Sequence, residues 1–358
     1  MLKVFVVGNQ SIMSKSYLRD LIADQSGYDA DHPDAEIIMD ANESPFDLPE
    51  EIKEESFDRL RNTGYNRYPD ALSSRLRELY SDYVGIPAEQ IVAGNGSDEL
   101  ITYLISAVIG PGDKVLVPSP TFSMYNILAE YMHAEIKEVP LTDRWDLSDD
   151  FINQSRQARL TFISYPNNPT GNCFDRGRIK RVLEQTNGIV VIDEAYFEFA
   201  NRSFVNLLSD YPNLVVLRTL SKGFGLAGIR TGFLLGPEGI VNGVNTVRLP
   251  YNLNKLSVIT AEVALEQREK LLQRNRELLD QRDRVFEFLQ ENNFRPEPTD
   301  SNFILFQPDQ PEALYSYLLE QGIRVRVFSE SRLQSYLRLS VGTPSENDQL
   351  IEVLRSGA

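Results

Sequence analysis

Lys222 stands in the stretch Thr219-Leu-Ser-Lys-Gly-Phe-Gly-Leu-Ala-Gly-Ile-Arg230, where one amine is flanked by two hydroxyls, by small residues and, eight positions on, by an arginine. An amine so placed can capture an aldehyde covalently, while Thr219, Ser221 and Arg230 can converge on a phosphate from one loop. Taken alone, a Ser-Lys pair in a glycine-rich turn reads equally well as an exposed loop. Three further stretches change that balance. Gly94-Asn-Gly-Ser-Asp-Glu99 follows the apolar Ile91-Val-Ala93 and leads into a helical pattern, so its backbone allows close approach and its amides can hold a phosphate. It lacks the lysine and the spacing of a nucleotide P-loop. Tyr165-Pro-Asn-Asn-Pro-Thr-Gly171 forces a sharp loop that can aim the Asn168 amide inward. Asp193-Glu-Ala-Tyr196 ends an apolar run with a carboxylate, which either caps a helix or pairs with a protonated ring nitrogen. Together the four stretches supply a phosphate cradle, a donor for a ring oxygen, a partner for a ring nitrogen and an amine. That set is what pyridoxal 5'-phosphate requires.

The elements that must carry these groups alternate in type. Val115-Leu-Val-Pro118, Leu160-Thr-Phe-Ile-Ser164, Ile189-Val-Val-Ile-Asp193 and Leu214-Val-Val-Leu217 are short and mostly apolar, as strands covered on both faces should be. Between them, Glu99 to Val108, Ser123 to Tyr131 and Arg176 to Gln185 repeat apolar residues at spacings of three and four. Strand and helix in turn predict an α/β fold with a mainly parallel central sheet covered by helices. Ligands of such sheets sit beyond the carboxyl ends of the strands, which is where the polar stretches fall.

Composition narrows the function classes. The chain has 358 residues, 42% hydrophobic and 25% charged, enough for a substantial core and two domains. With 52 acidic against 36 basic residues and a formal charge of −16, neither nucleic acid nor an anionic membrane is expected as partner. Cys173 is the lone cysteine, which excludes an internal disulfide and points to a reducing compartment, the cytoplasm. The apolar run Val4-Phe-Val-Val7 is too short for a secretory segment, and no transmembrane stretch follows. His32 and His133, the only histidines, lie in polar surroundings and read as surface residues, so no metal site is expected. Acid–base work falls to a lysine whose pKa burial lowers.

On these motifs the chain resembles the class I/II aminotransferases of the fold-type I pyridoxal-phosphate family, from about Ile38 to the C-terminus. The landmarks are Asp40-Ala-Asn-Glu-Ser-Pro45, Arg67-Tyr-Pro-Asp70, Gly94-Asn-Gly-Ser-Asp-Glu99, Pro120-Thr-Phe122, Pro166-Asn-Asn-Pro-Thr-Gly171, Asp193-Glu-Ala-Tyr196, the Lys222 stretch, Gly322-Ile-Arg-Val-Arg326 and Leu337-Arg-Leu-Ser-Val-Gly-Thr343. The resemblance implies that Lys222 is the covalent and proton-shuttling lysine, that Asp193 faces the pyridine nitrogen, and that Asn168 and Tyr196 bond the ring oxygen. It implies that Ser97, Asp98, Thr219, Ser221 and Arg230 hold the phosphate, joined by Tyr68 from a neighbouring subunit of a homodimer. Phe122 stands where the family usually stacks a tyrosine; the ring face is kept and the phenol's hydrogen bond lost. Arg326 and Arg338 are implied to bind the anionic end of the substrate, since guanidinium forks suit phosphate and carboxylate alike. Arg324 and Arg332 read as surface salt-bridge partners. Tyr17 and Tyr28 are both candidates for a further phenol on substrate phosphate.

The resemblance is nearest to the histidinol-phosphate branch of the family. The implied reaction moves an amino group between L-histidinol phosphate and 2-oxoglutarate, in histidine biosynthesis. A threonine-phosphate type of decarboxylase and an aromatic amino acid aminotransferase remain alternatives; a regulator that binds the cofactor without turnover lacks the chain length for a DNA-binding domain. The implied domains are an arm and part of a small domain over residues 1–59, a large cofactor domain over 60–249 and a small α+β domain over 250–358. Within the last, Thr260 to Asn293 reads as one long helix, Ser301 to Phe306 and Ile323 to Phe328 as strands, and Asp348 to Leu354 as a closing helix.

Overall fold

The β-branched runs of the middle of the chain do form strands sealed on both faces. In the computed structural model, which describes residues 33–357, the strands are β1 (Ile37–Met39), β2 (Ile91–Gly94), β3 (Lys114–Ser119), β4 (Glu135–Pro140), β5 (Leu160–Ser164), β6 (Ile189–Asp193), β7 (Leu214–Thr219), β8 (Gly232–Leu235), β9 (Phe303–Phe306), β10 (Ile323–Val325) and β11 (Leu337–Ser340). Everything described below lies in the unit that begins at Ala35. His32, Tyr17 and Tyr28 lie outside the described residues.

Seven strands make the main sheet, in the order β2-β8-β7-β6-β5-β3-β4. The pairs from β4 through β7 are parallel, whereas β8 runs antiparallel to both β7 and β2. Alternate residues feed opposite cores. Phe162, Val191, Val215, Leu217 and Leu234 pack on one face with the helix Gly96–Val108, while Ile163, Val190, Ile192, Val216 and Phe233 pack on the other with the helices Ser74–Val84 and Arg176–Gln185. All five residues of β5 and all six of β7 are buried, which is why they read as continuous apolar runs.

Two smaller sheets pair β1 with β10 in parallel and β9 with β11 antiparallel. Ile37, Met39, Phe306, Ile323, Leu339 and Leu350 join the helix Arg268–Glu291 around a separate core. That helix corrects one expectation. The pattern from Thr260 to Asn293 is two helices, Lys255–Glu266 and Arg268–Glu291, broken at Gln267 with φ −110° and ψ 22°. Ala261, Ala264 and Leu265 before the break serve the main core, and Val285, Phe288 and Leu289 beyond it serve the small one. The apolar spacing continues across the break, so periodicity alone reports one helix. The strand expected over Ile323 to Phe328 ends at Val325, with a lone bridge at Arg326, and the closing helix begins early, at Pro344.

Candidate active site

The antiparallel return of β8 creates the Lys222 loop. Between the end of β7 at Thr219 and the start of β8 at Gly232 the chain must double back, and Leu220 N–H bonds Thr231 O while Leu226 N–H bonds Leu220 O. Leu220, Phe224 and Leu226 are buried and pin the loop from below, which leaves Lys222 half-buried at its crest. Its Nζ donates to Ala41 O at 2.7 Å. Burial, and then the neighbouring Arg338 cation, pull the Lys222 amine down from its ordinary value to about 8. A neutral amine is therefore available near physiological pH, as covalent chemistry requires.

Beside it lies a cluster built for an anion. Thr219 Oγ1 and Ser221 Oγ are 3.0 Å apart, and Arg230 Nη1 reaches Ser221 Oγ at 3.3 Å. Arg230 Nη2 pairs with Asp98 at 3.2 Å, a half-exposed contact that a stronger anion can displace. Ser97 and Asp98 stand in the first turn of the helix Gly96–Val108, whose leading amides have no partner within the helix. The Asn95 amide is taken by Glu99 Oε2 at 2.7 Å, and the same oxygen accepts from Asn252 Nδ2 at 2.7 Å. Two glycines permit this crowding. A Cβ on Gly96, whose φ is +81°, would sit 2.8 Å from Arg230 Nη2, and one on Gly232 would sit 2.7 Å from the Ser97 nitrogen.

Across the loop, Asp193 ends β6 with its carboxylate buried. Tyr125 Oη donates to Oδ2 at 2.7 Å and the Ala195 amide to Oδ1 at 3.1 Å. Burial pushes its pKa up to about 6, with these two donors pulling the other way. The adjacent Glu194 turns aside and forms a sealed ion pair with Arg218 at 2.7 Å. Phe122, partly buried, meets Tyr125 edge-on at 5.4 Å, and Tyr125 stacks on Phe162 at 4.6 Å. Tyr196 is buried, and its Oη accepts from Asn42 Nδ2 at 3.0 Å.

The loop after β5 holds Asn168 partly buried, and its Oδ1 accepts from Arg338 Nη1. Its neighbour Asn167 is fully buried and fastens the loop through Thr121, Pro120 O and Thr170. Arg338, on β11, also donates from Nη2 to Asp40 O at 2.6 Å. Arg326 and Arg338 exchange both backbone hydrogen bonds, at 2.9 and 3.0 Å, so they are directly opposed and share a face. Two facing cations repel each other, and an anion between them would relieve this.

The chain thus gathers Lys222, Asp193, Tyr196, Asn168, Phe122, Ser97, Asp98, Thr219, Ser221, Arg230 and Arg338 about the carboxyl ends of its parallel strands. Tyr68 is not among them: it is 79% exposed and stacks on Tyr251 at 4.5 Å. Two expectations for surface arginines need correction. Arg324 forms its ion pair with Asp40 at 2.9 Å in the interior, and Arg332 donates to the carbonyls of Leu141 and Thr142 while lying 4.5 Å over the Trp145 ring. His133 is exposed, as read. The sequence motifs do not mark Tyr125, and they include Asp40–Asn42 only as a landmark of the resemblance, with no contact assigned. Tyr125 sits three residues beyond Phe122, a helical spacing that could have drawn it in; the other contacts are too remote in sequence to leave a local signal.

The pattern described as aminotransferase class I and II matches residues 35–354. Histidinol-phosphate aminotransferases from Pyrococcus furiosus and Thermoanaerobacter sp. (strain X514) are 39% and 38% identical over 320 and 350 residues, covering 89% and 96% of this chain and 91% and 99% of theirs. A solved structure of histidinol-phosphate aminotransferase from Sinorhizobium meliloti in complex with pyridoxal-5'-phosphate superposes with a TM-score of 0.87 at 23% identity, covering 96% of this chain and 99% of its own, and shares the fold. An amine loop, a buried carboxylate at a strand end and an anion cluster, embedded in a match over nearly the whole described region, lead to one conclusion: the chain belongs to the class I and II aminotransferases.

Proposed function

We propose that this enzyme transfers an amino group between L-histidinol phosphate and 2-oxoglutarate with pyridoxal 5'-phosphate as cofactor, a step of histidine biosynthesis carried out in the cytoplasm. The observation that carries the proposal is the Lys222 amine, brought to about 8 and set between an anion cluster and a buried carboxylate. The residues fit the cofactor. Gly96 and Gly232 let Arg230 and the Ser97 amide approach more closely than any side chain there would allow, and a dianionic phosphate suits the hydroxyls of Ser97, Thr219 and Ser221 and the Arg230 fork. Phe122 offers a ring face, and Asn168 and Tyr196 offer polar groups to a ring oxygen.

When bound, pyridoxal phosphate supplies an electron-withdrawing ring that makes the Cα–H of an attached amine acidic. Asp193 would hold the positive charge at the ring nitrogen, and a cation there would favour the ionised form of its carboxylate. Lys222 Nζ would take the proton from Cα, hold it as an ammonium and give it up again as the amino group changes carrier. Arg338 and Arg326 fix the anionic end: the phosphate of the donor in one half-reaction, a carboxylate of 2-oxoglutarate in the other. One pocket thereby serves both halves.

Residues 60–249 form the cofactor domain in this proposal and 250–358 the smaller one, with residues 1–59 contributing an arm. The enzyme works as a homodimer in which Tyr68 of the partner subunit completes the phosphate cradle. The exposed side chains of Tyr65, Tyr68, Leu249, Tyr251 and Leu256 support such an interface. Absorbance spectroscopy tests the function directly. Apoprotein mixed with pyridoxal phosphate should develop a visible band that L-histidinol phosphate bleaches, 2-oxoglutarate restores and phenylalanine leaves alone, and Lys222→Ala should abolish it. Protein that stays colourless would sink the assignment, and carbon dioxide released from threonine phosphate would move the chain to the decarboxylases.

A further inference from the structure

Three consecutive residues, Asp40, Ala41 and Asn42, touch three different groups of the site. Asp40 O accepts from Arg338, Ala41 O accepts from Lys222, and Asn42 Nδ2 donates to Tyr196 Oη. The first two contacts are made by backbone carbonyls and are open to any side chain. The third depends on the identity of Asn42, and that residue is held with unusual completeness. It is 1% exposed with φ 54°, a left-handed conformation that asparagine tolerates better than most side chains. Its amide N–H donates to Ser340 Oγ at 2.8 Å, its carbonyl accepts from Asn302 Nδ2 at 3.2 Å, and its Oδ1 accepts the Ser340 hydroxyl at 3.3 Å.

These bonds decide which end of the Asn42 amide faces Tyr196. Were the amide reversed, the Ser340 hydroxyl hydrogen would lose its acceptor in a site where Ser340 is only 4% exposed. The amide group therefore points its NH2 at the phenol, and the Tyr196 oxygen spends a lone pair as acceptor. A phenol that accepts from one side keeps its own hydrogen for the other. Among the described residues the Tyr196 hydroxyl donates to no protein acceptor, although Tyr196 is 5% exposed.

We infer that Asn42 is a positioning residue that fixes the direction of the Tyr196 hydroxyl, so that the phenol donates its hydrogen to the ring oxygen of the cofactor. This rests on the placement of Tyr196 proposed above. Asn42 works through Tyr196. An aspartate at position 42 has the same shape and would accept the phenol hydrogen, turning it away from the ring.

The test uses the cofactor-loaded enzyme and follows the pH titration of its visible band, a property that a merely structural role would not move. Tyr196→Phe should shift the midpoint by roughly one pH unit, the scale of one hydrogen bond to an ionisable group. Asn42→Asp should shift it in the same direction by a similar amount, and the double variant no further than Tyr196→Phe alone. Ser340→Ala, which unlocks the amide without altering charge, should give a smaller shift of the same sign and keeps the inference testable if Asn42→Asp fails to fold. A double variant that shifts well beyond Tyr196→Phe would mean that the new charge acts directly, and would overturn the inference. So would wild-type midpoints in Asn42→Asp and Ser340→Ala beside a shifted Tyr196→Phe. A silent Tyr196→Phe would instead remove Tyr196 from the ring, and the inference with it.

Discussion

Lys222 and Asp193 are pushed in opposite directions by one cause. Burial disfavours charge, so the amine falls to about 8 and the carboxyl climbs to about 6. Each is thereby prepared for a partner that the bare protein does not supply. The neutral amine is the nucleophile, so the rate at which apoprotein captures pyridoxal phosphate should rise about tenfold per pH unit below the Lys222 pKa and level off above it. Stopped-flow absorbance checks this; a rate still rising steeply two units above that value would contradict the amine's environment. Tyr125 matters for the second group. Tyr125→Phe removes the donor that stabilises the ionised Asp193, so cofactor affinity should fall roughly 10- to 100-fold, with the loss deeper on the acid side of neutrality. Fluorescence titration at two pH values measures both effects.

At the scale of elements, the site depends on how closely β8 and the helix Gly96–Val108 approach. A Cβ on Gly232 would meet backbone atoms on two sides, the Ser97 nitrogen at 2.7 Å and the Gly96 carbonyl carbon at 2.8 Å, and backbone cannot swing away as a side chain can. Gly232→Ala should therefore destabilise the protein by about 1–3 kcal/mol, the usual range for overpacking, and weaken phosphate binding as well. Thermal melting with and without pyridoxal phosphate separates the two: the variant should melt lower and gain less from the cofactor. The loop between β7 and β8 has a comparable logic. Three buried apolar residues anchor it from below, and the half-exposed Arg230–Asp98 pair ties its far end to the helix Gly96–Val108.

At the scale of the molecule, Tyr68 is the one anticipated cofactor contact that a single chain leaves outside the cluster. If the partner subunit supplies it, a mixed dimer of Tyr68→Ala and Lys222→Ala chains gathers both lesions in one site and leaves the other intact. Tyr68→Ala and Lys222→Ala proteins, unfolded and refolded together, should recover about a quarter of the wild-type turnover, because half of the randomly paired dimers carry one intact site of two. Recovery no greater than the parents' average would show that each chain completes its own site. The same experiment with Tyr251→Ala in place of Tyr68→Ala tests whether the stacked neighbour matters only by supporting Tyr68.

Two strands, Leu160–Ser164 and Ile189–Asp193, and the helix Arg176–Gln185 were legible residue for residue, because burial on both faces leaves an unbroken apolar run and one-sided burial leaves a helical repeat. The cluster around Lys222 was legible as well, since each motif ends a strand and a parallel sheet collects those ends on one side. What the local pattern could not carry were contacts without a period. Ala41 meets Lys222 across 181 positions, and Asp40 meets Arg338 across 298. Arg324 looked like a surface residue because it alternates with the core-facing Ile323 and Val325 of its strand, yet Asp40 lies beside it in the fold. The break at Gln267 was hidden for the related reason that the spacing runs on unchanged from the main core, which still takes Leu271, to the small core, which takes Val285, Phe288 and Leu289. Residue type and spacing thus determine which elements form and what chemistry their ends can bear. Only folding decides which distant groups share a dry pocket, and it is the dryness of that pocket that sets the charge on Lys222 and Asp193.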